Sequence, residues 1–522
     1  MNRQGRRAGL LSERGMARAF RALAGAVFGV LLLCAFVLTC ANDGMLGTEV
    51  VWIQWNAPLT QAAALLFVVL GMLLIRAALR RFVRGRISQR AMDAAAALLS
   101  LGMAAAAALW VMGNDFVLVG DQAHLVNIAQ QANAGDYSAF QAGGYANMHR
   151  HQLGMISLLR VLLGVFGDYR AMQLLSAALA GVICMLCYGI VRQLAPQSRT
   201  AQACVLALLA LFLPLPLYTP FVYGEIPSTA CVLAGALLFL RYMERGGPGR
   251  LALLGLVCGA AVLLRKNALI ALLGLLAAAL VRLLFARDGR GAKAGAAMLA
   301  GVALMQAAVS AAYAPLIPAA SDGMPSILYI AMGLTEGRQP GWWNGYNNVT
   351  FAQAGYSAAE ATRQAWQTIG AFFDRAGSDP GYAADFMMKK MVTQWEAPML
   401  QAMAMNMPAA EHSALCEALY FGALRGPAEA LMKAHQMFVY AMALCFLCFK
   451  RDGRIAPLSL LIGIFGGFLF TLMWEAKTRY VFPYMIMLLP YAAVGFSCLA
   501  ERLDKRRRAA FGKAGAARAS EN

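Results

Sequence analysis

The chain has 522 residues, of which 60% are hydrophobic and 14% charged, against about 45–50% and about 25% in soluble domains. The apolar residues pool into runs such as Ala203–Leu217 and Leu251–Leu264, which excludes a soluble globular enzyme, a disordered chain and a secreted disulfide scaffold. The net charge of +19, from 45 basic and 26 acidic residues, is scattered over short turns, so no nucleic acid is expected as a partner. The partner those runs require is a lipid bilayer.

Crossing the ~30 Å hydrocarbon core takes about 20 apolar residues. Spans are predicted near 20–40, 59–79, 92–112, 171–193, 201–219, 227–243, 251–265, 267–285, 294–314, 432–449, 456–474 and 480–499, twelve in all. An even number leaves both termini on one side. The first tail carries Arg3, Arg6, Arg7, Arg14 and Arg18, and the last carries Arg506, Arg507 and Arg508. The loop 76–90 adds Arg76, Arg80, Arg81, Arg84, Arg86 and Arg90, and the turns Arg245–Arg250, Arg287–Lys293 and Lys450–Arg454 fall on the same side. Basic residues concentrate on cytoplasmic loops, so both termini are expected in the cytoplasm of a multi-pass inner- or plasma-membrane protein. The run 20–40 is too long for a signal peptide, lacks a small-residue cleavage site and reads as an anchor.

Five regions follow: 1–112 with the first tail and three spans, 113–170 as a first outer loop, 171–315 as a six-span core, 316–431 as a large outer loop, and 432–522 with the last three spans and a basic tail. Ten of the 11 cysteines lie in or beside spans, and only Cys416 lies in a large loop. The CxxC pairs Cys184/Cys187 and Cys445/Cys448 sit inside apolar runs and read as packing.

Both outer loops carry helix signals. After Asp121, the apolar residues Leu125, Ile128, Ala129 and Ala132 share one helical face, suited to the membrane interface. Gln152–Phe166 is apolar but short and contains Arg160, so it reads as a juxtamembrane or re-entrant helix. In the second loop Ser357-Ala-Ala-Glu360 is a capping-box pattern opening a helix to about Arg375. Asp379-Pro380 opens another to about Trp395. Trp342 and Trp343, among turn formers at 341–348, either stack on sugar rings or anchor in the interface.

Few ionisable residues fall at outer span ends. Asp121 is placed to take a proton from an attacking hydroxyl or to cap a helix starting at Gln122, and spacing does not separate the two roles. Asp115 is a weaker competitor. Glu225, in Tyr223-Gly-Glu225-Ile-Pro227, either acts on a ligand or complements a helix N-terminus. Arg265-Lys266 and Lys477/Arg479 run against the cytoplasmic bias of the other basic turns. Such exceptions point to an anionic ligand at the outer surface, with phosphate or diphosphate suiting arginine and lysine. His149 and His151 lack the further ligands of a tetrahedral site. No P-loop, dinucleotide fingerprint, GxSxG or HExxH motif is present, so neither a metal nor an organic cofactor is expected.

The order Gly120-Asp121-Gln122, Tyr145 to His151-Gln-Leu-Gly154, Tyr223-Gly-Glu225 and Glu475-Ala-Lys-Thr-Arg479-Tyr480-Val-Phe-Pro483 resembles the C-type membrane glycosyltransferases. These include protein mannosyltransferases and aminoarabinose transferases that use polyprenyl-phosphate sugars. The resemblance spans about 92–500. It implies an all-α polytopic bundle of about twelve transmembrane helices with juxtamembrane helices in two outer loops. It also implies a polyprenyl-phosphate-linked sugar donor and a glycan, lipid or protein acceptor at the outer face, in cell-envelope modification.

By that resemblance Asp121 is the base of an inverting displacement. Arg265, Lys266, Arg479 and Tyr480 hold the donor phosphate. Gln122, Tyr223, Glu225, His151, Glu475, Trp342 and Trp343 orient substrate or the cations. The family often carries two neighbouring acidic residues where this chain has Asp121 and Gln122, a departure from the pattern that sets metal-dependent variants aside. The rivals are a flippase for lipid-linked glycans, which calls for charges deep in the bilayer and repeat symmetry, and a lipid-linked oligosaccharide polymerase or ligase.

Overall fold

The computed structural model describes residues 12–42, 49–81 and 88–521. Arg3, Arg6, Arg7, Arg84 and Arg86, which entered the orientation argument, lie outside the described residues. In chain order the principal elements are α1 (Glu13–Val37), β1 (Leu38–Asn42), β2 (Val51–Trp55), α2 (Pro58–Arg81), α3 (Gln89–Met112), β3 (Phe116–Val117), α4 (Asp121–Asn133), α5 (Leu153–Phe166), α6 (Arg170–Leu194) and α7 (Arg199–Ala210). There follow α8 (Glu225–Arg245), α9 (Pro248–Leu264), α10 (Ala268–Phe285), α11 (Gly289–Tyr313), α12 (Ala358–Ser378), α13 (Pro380–Trp395), β4 (Met407–Pro408), α14 (Arg425–Phe449), α15 (Ser459–Met473) and α16 (Phe482–Glu521). The protein is an all-α polytopic membrane protein.

Among the described residues, ten helices are long and apolar enough to cross a bilayer, and α7 and α9 are shorter apolar helices. Twelve predicted runs therefore appear as ten long helices and two short ones. α7 stops at Ala210 because Pro214 and Pro216 follow closely, and proline cannot supply the amide that a continuing helix needs. α9 has 17 residues, which at 1.5 Å per residue reach about 26 Å. The first run also ends early. α1 stops at Val37, and Leu38–Asn42 pairs antiparallel with the aromatic and β-branched segment Val51–Trp55.

The bundle packs α3 on α6, α9 on α11, α14 on α16, α10 on α15 and α1 on α14. The α9–α11 crossing shows how two apolar helices associate in lipid without a hydrophobic driving force. A Cβ added to Gly301 would lie 1.9 Å from the Gly255 carbonyl oxygen. Small residues let the two backbones touch.

The polar segments 113–170 and 316–431 fold as compact structure against the bundle. The apolar face of α4 is buried and packs on α5, so it meets protein where an interfacial helix would meet lipid. Ser357 accepts a hydrogen bond from the Glu360 amide, and Asp379 accepts one from the Tyr382 amide. Only half of the capping box forms, because the Glu360 carboxylate turns to Arg363 and Gln364. These two segments are tied together where Phe116–Val117 pairs with Met407–Pro408, beside mutual backbone bonds between 115 and 409–411. That seam holds the approach to Asp121 against the large loop.

Candidate active site

Gly120 has φ +56°, a backbone state that costs an L side chain but not glycine. It turns the chain so that α4 begins at Asp121 itself, with Gly120 in the cap position. The Asp121 carboxylate is then free to leave its own helix. It accepts from Tyr145 Oη at 3.0 Å and Tyr223 Oη at 3.3 Å, and it lies 3.1 Å from Arg479 Nη2. The capping role that spacing left open is thus taken by Gly120.

The turn between α15 and α16 supplies most of the charge. Arg479 is 2% exposed, and its guanidinium lies 5.5–5.9 Å from the ring centroids of Phe221, Tyr223 and Tyr480. Its Nε and Nη1 atoms have no hydrogen-bond partner. Arg265, just past the end of α9, pairs with buried Glu225 at 3.0 Å and lies over Tyr223 and Tyr480. Tyr480 donates to Glu475 at 2.9 Å. Lys477 lies 2.7 Å from Glu49 and 3.3 Å from Glu475. Burial alone opposes each of these charges, and the opposite charge beside it offsets that cost.

These groups face one cavity of about 1030 Å³. That is the upper end of ordinary ligand pockets and large enough for two substrates. Asp121, Tyr223, Arg265, His151, Trp342, Trp343, Glu475, Arg479 and Tyr480 all line it. Glu225 stands behind Arg265 at a smaller void of about 30 Å³ shared with Arg479 and Tyr480, room enough for a water. At the rim Trp343 is exposed, whereas Trp342 is buried with its indole N–H donating to Thr393 at 3.2 Å. Trp342 also shares a backbone bridge with Ala476, so it steadies the charged turn.

Two expected members stand apart. Gln122 is buried, donating to the Met405 carbonyl at 2.9 Å and accepting from the Val222 amide at 2.8 Å. Both its polar ends fix backbone. Lys266 does not share the cavity with Arg265. Its ammonium donates to Ser326 at 3.2 Å and faces a second space of about 650 Å³, lined by Arg150, His151, Val262, Leu263 and Val302. Arg265 is in extended backbone and Lys266 lies in the turn that leads into α10, and the two side chains diverge.

The electrostatics favour an ionised acid among protonated phenols. Burial would push the Asp121 carboxyl up, but Arg479 and Lys477 outweigh it and hold the group well below the usual carboxylate range. The same contest holds Glu49 low, with Lys477 and then Arg479 opposing burial. Burial and the Glu475 carboxylate push the Tyr480 phenol well up, and burial with Asp121 does the same to Tyr145. Both remain hydrogen-bond donors. Burial lowers His149 to about 4, so it stays neutral beside Tyr329 Oη at 3.1 Å. Among the described residues, no three His, Cys, Asp or Glu side chains gather as a metal site.

Several residues at or near the cavity had no role assigned in the sequence reading. Glu49 arrives from the loop between the first two spans, Tyr145 and Gln152 from the first outer segment, and Tyr329 and Arg338 from the large loop. Gln152 donates to Tyr223. Lys390, buried on α13, donates to the Gly333 carbonyl, and burial lowers its ammonium to about 7. These are lone polar residues whose roles depend on distant neighbours, and nothing local marks them.

Residues 153–344 match the family of dolichyl-phosphate-mannose-protein mannosyltransferases. The match supports a membrane glycosyltransferase of the C type. No curated protein is similar enough to match the chain. Tyr223, Glu225, Arg265, Lys266, Trp342 and Trp343 fall inside the matched stretch, while Asp121, His151 and the 475–480 turn fall outside it. Apart from Lys266, at the second space, and Glu225, behind Arg265, the fold brings the two groups to one cavity.

Proposed function

We propose that the protein moves a sugar from a polyprenyl-phosphate-linked donor to an acceptor hydroxyl on the outer face of the membrane, with inversion at the anomeric carbon. The observation that carries this reading is the Asp121–Arg479 pair, set in a large cavity beside Arg265 and Tyr480. Asp121 is 32% exposed and Arg479 3% exposed at their side chains, so an acceptor reaches the acid while the cation stays in the wall.

The donor phosphate competes with Asp121 for Arg479, whose other nitrogens lack partners. As the phosphate draws the guanidinium, Asp121 loses its nearest positive neighbour and becomes more basic. Asp121 then takes the proton of the acceptor hydroxyl, and the freed oxygen pair forms the new bond to the anomeric carbon. The bond from that carbon to the phosphate oxygen breaks, and its electron pair leaves with the phosphate. Arg479 and Arg265 stabilise the charge that develops there, as preorganised cations do in a water-poor site. Tyr480 donates a hydrogen bond to the same oxygen. Tyr145 and Tyr223 orient the acid, Glu225 and Glu475 hold the cations, and Trp343 offers an apolar face to a sugar ring. Lys266 and Gln122 have no part in these steps. With the positive-inside distribution, both termini lie in the cytoplasm.

The test is transfer by the purified full-length protein in detergent, from radiolabelled polyprenyl-phosphate sugars to a membrane-plus-wall extract, with and without EDTA. Labelled product that persists in EDTA is expected. No transfer from any donor, with labelled lipid moving across reconstituted vesicles, would replace the transferase with a flippase.

A further inference from the structure

Among the described residues, Glu49 is the one cavity carboxylate contributed by the N-terminal pair of spans. It lies two residues before β2, which pairs antiparallel with β1. Gln401 holds the Glu49 backbone carbonyl at 2.7 Å, and the Cys40 amide donates to the Glu396 carbonyl at 3.0 Å. Glu49 and β1 are therefore each tied to the large loop. The Glu49 carboxylate meets Lys477 at 2.7 Å while its side chain stays 30% exposed. Lys477, 8% exposed at its side chain, is thus compensated by two carboxylates, Glu49 and Glu475.

The charge of Lys477 is the second positive influence on Asp121 after Arg479. An ammonium on a four-carbon stem has the freedom to change partners. Without Glu49, that ammonium would be short of one counter-charge in a cavity that holds Asp121 and, on the reading above, a phosphate. It would turn to whichever anion is nearest.

We propose that Glu49 is a positioning residue that keeps Lys477 against the cavity wall and limits the positive charge presented to the donor phosphate. This rests on the transferase reading. Removing the Glu49 charge makes the cavity more positive by one unit. Donor and product phosphate then bind more tightly, and Lys477 competes for Asp121. Damage to the fold would weaken donor binding, so the direction of the change separates the two.

The experiment compares wild type, Glu49→Gln, Glu49→Asp, Lys477→Met and the double variant Glu49→Gln/Lys477→Met as full-length proteins. It measures kcat and donor KM, with equilibrium binding of a short-chain polyprenyl phosphate as a readout independent of turnover. In Glu49→Gln, donor KM and the polyprenyl phosphate Kd are expected to fall about 3-fold or more and kcat about 10-fold, the scale of one altered charge contact. Glu49→Asp is expected to stay within about 3-fold of wild type, and the double variant to return donor affinity toward wild type, as coupled neighbours do. Unchanged or weaker binding in Glu49→Gln overturns the proposal, as does a double variant that binds as Glu49→Gln does. If wild type transfers from no donor, the transferase reading fails while the binding arm still decides the role of Glu49.

Discussion

Two buried ion pairs in this molecule have the same chemistry and different surroundings. Glu396 and Lys433, 2.8 Å apart, are 0% and 2% exposed at their side chains. Gln436 accepts from Lys433 at 3.2 Å and donates to the Trp395 carbonyl at 2.7 Å, and Tyr440 donates to that carbonyl as well. The pair joins the end of α13 to α14 inside packed protein. Arg479 is as enclosed as Lys433, but Asp121 is 32% exposed at its side chain and opens to a cavity, and Arg479 has nitrogens without partners. An enclosed pair of charges serves register, and a pair at a large cavity with capacity to spare serves a ligand.

Breaking the cavity pair is expected to cost the most activity. Arg479→Gln removes a preorganised cation, and loss of one such donor is worth about 10²–10³ in rate. It also raises the Asp121 pKa, because Arg479 is the largest of the influences that lower it. An acid whose pKa is depressed stays ionised as pH falls and is lost only below the usual carboxylate range. In the variant, the acid limb of kcat/KM therefore moves to higher pH, which a pH profile of both proteins checks.

Breaking the enclosed pair should act on stability. Lys433→Met leaves Glu396 buried and unpaired, expected to cost about 3–5 kcal/mol, read as a fall in Tm in detergent with turnover per folded molecule retained. Replacing both with Met should recover most of that loss, since well-packed apolar residues can substitute for a buried pair. The smallest effect is expected at Lys266, whose ammonium faces the second space. Lys266→Gln should leave donor KM within about 2-fold, whereas Arg265→Gln should not, and parallel kinetics measure both.

The contrast also shows what the sequence could disclose. Proline and capping residues placed the helices after Ser357 and Asp379 to within a few residues, because those signals act within one turn, whereas the apolar runs found the spans but not their ends: 201–219 overran α7 and 480–499 stopped short of the end of α16. The start of the strand at Leu38–Asn42 was absorbed into the apolar run predicted to residue 40, since small residues there fit either state and the strand's partner is not adjacent in sequence. Asp121, Arg265 and the 475–480 turn were legible as charges where the hydrophobic pattern makes charge expensive. Lys266 shared that signal, and only the backbone direction after Arg265 separates the two. Glu49 and the Glu396–Lys433 pair gave no local sign, because Glu49 meets Lys477 from the far end of the chain and Glu396 meets Lys433 across 37 residues.

The most direct test of Asp121 as the base is single-turnover transfer by Asp121→Asn with donor prebound, alongside equilibrium binding of that donor. The amide cannot accept the hydroxyl proton but keeps the shape of the acid. The expected result is transfer slowed by about 10²–10⁴-fold, the range for loss of a general base, with donor binding retained. Transfer at the wild-type rate by a folded Asp121→Asn protein would contradict the assignment.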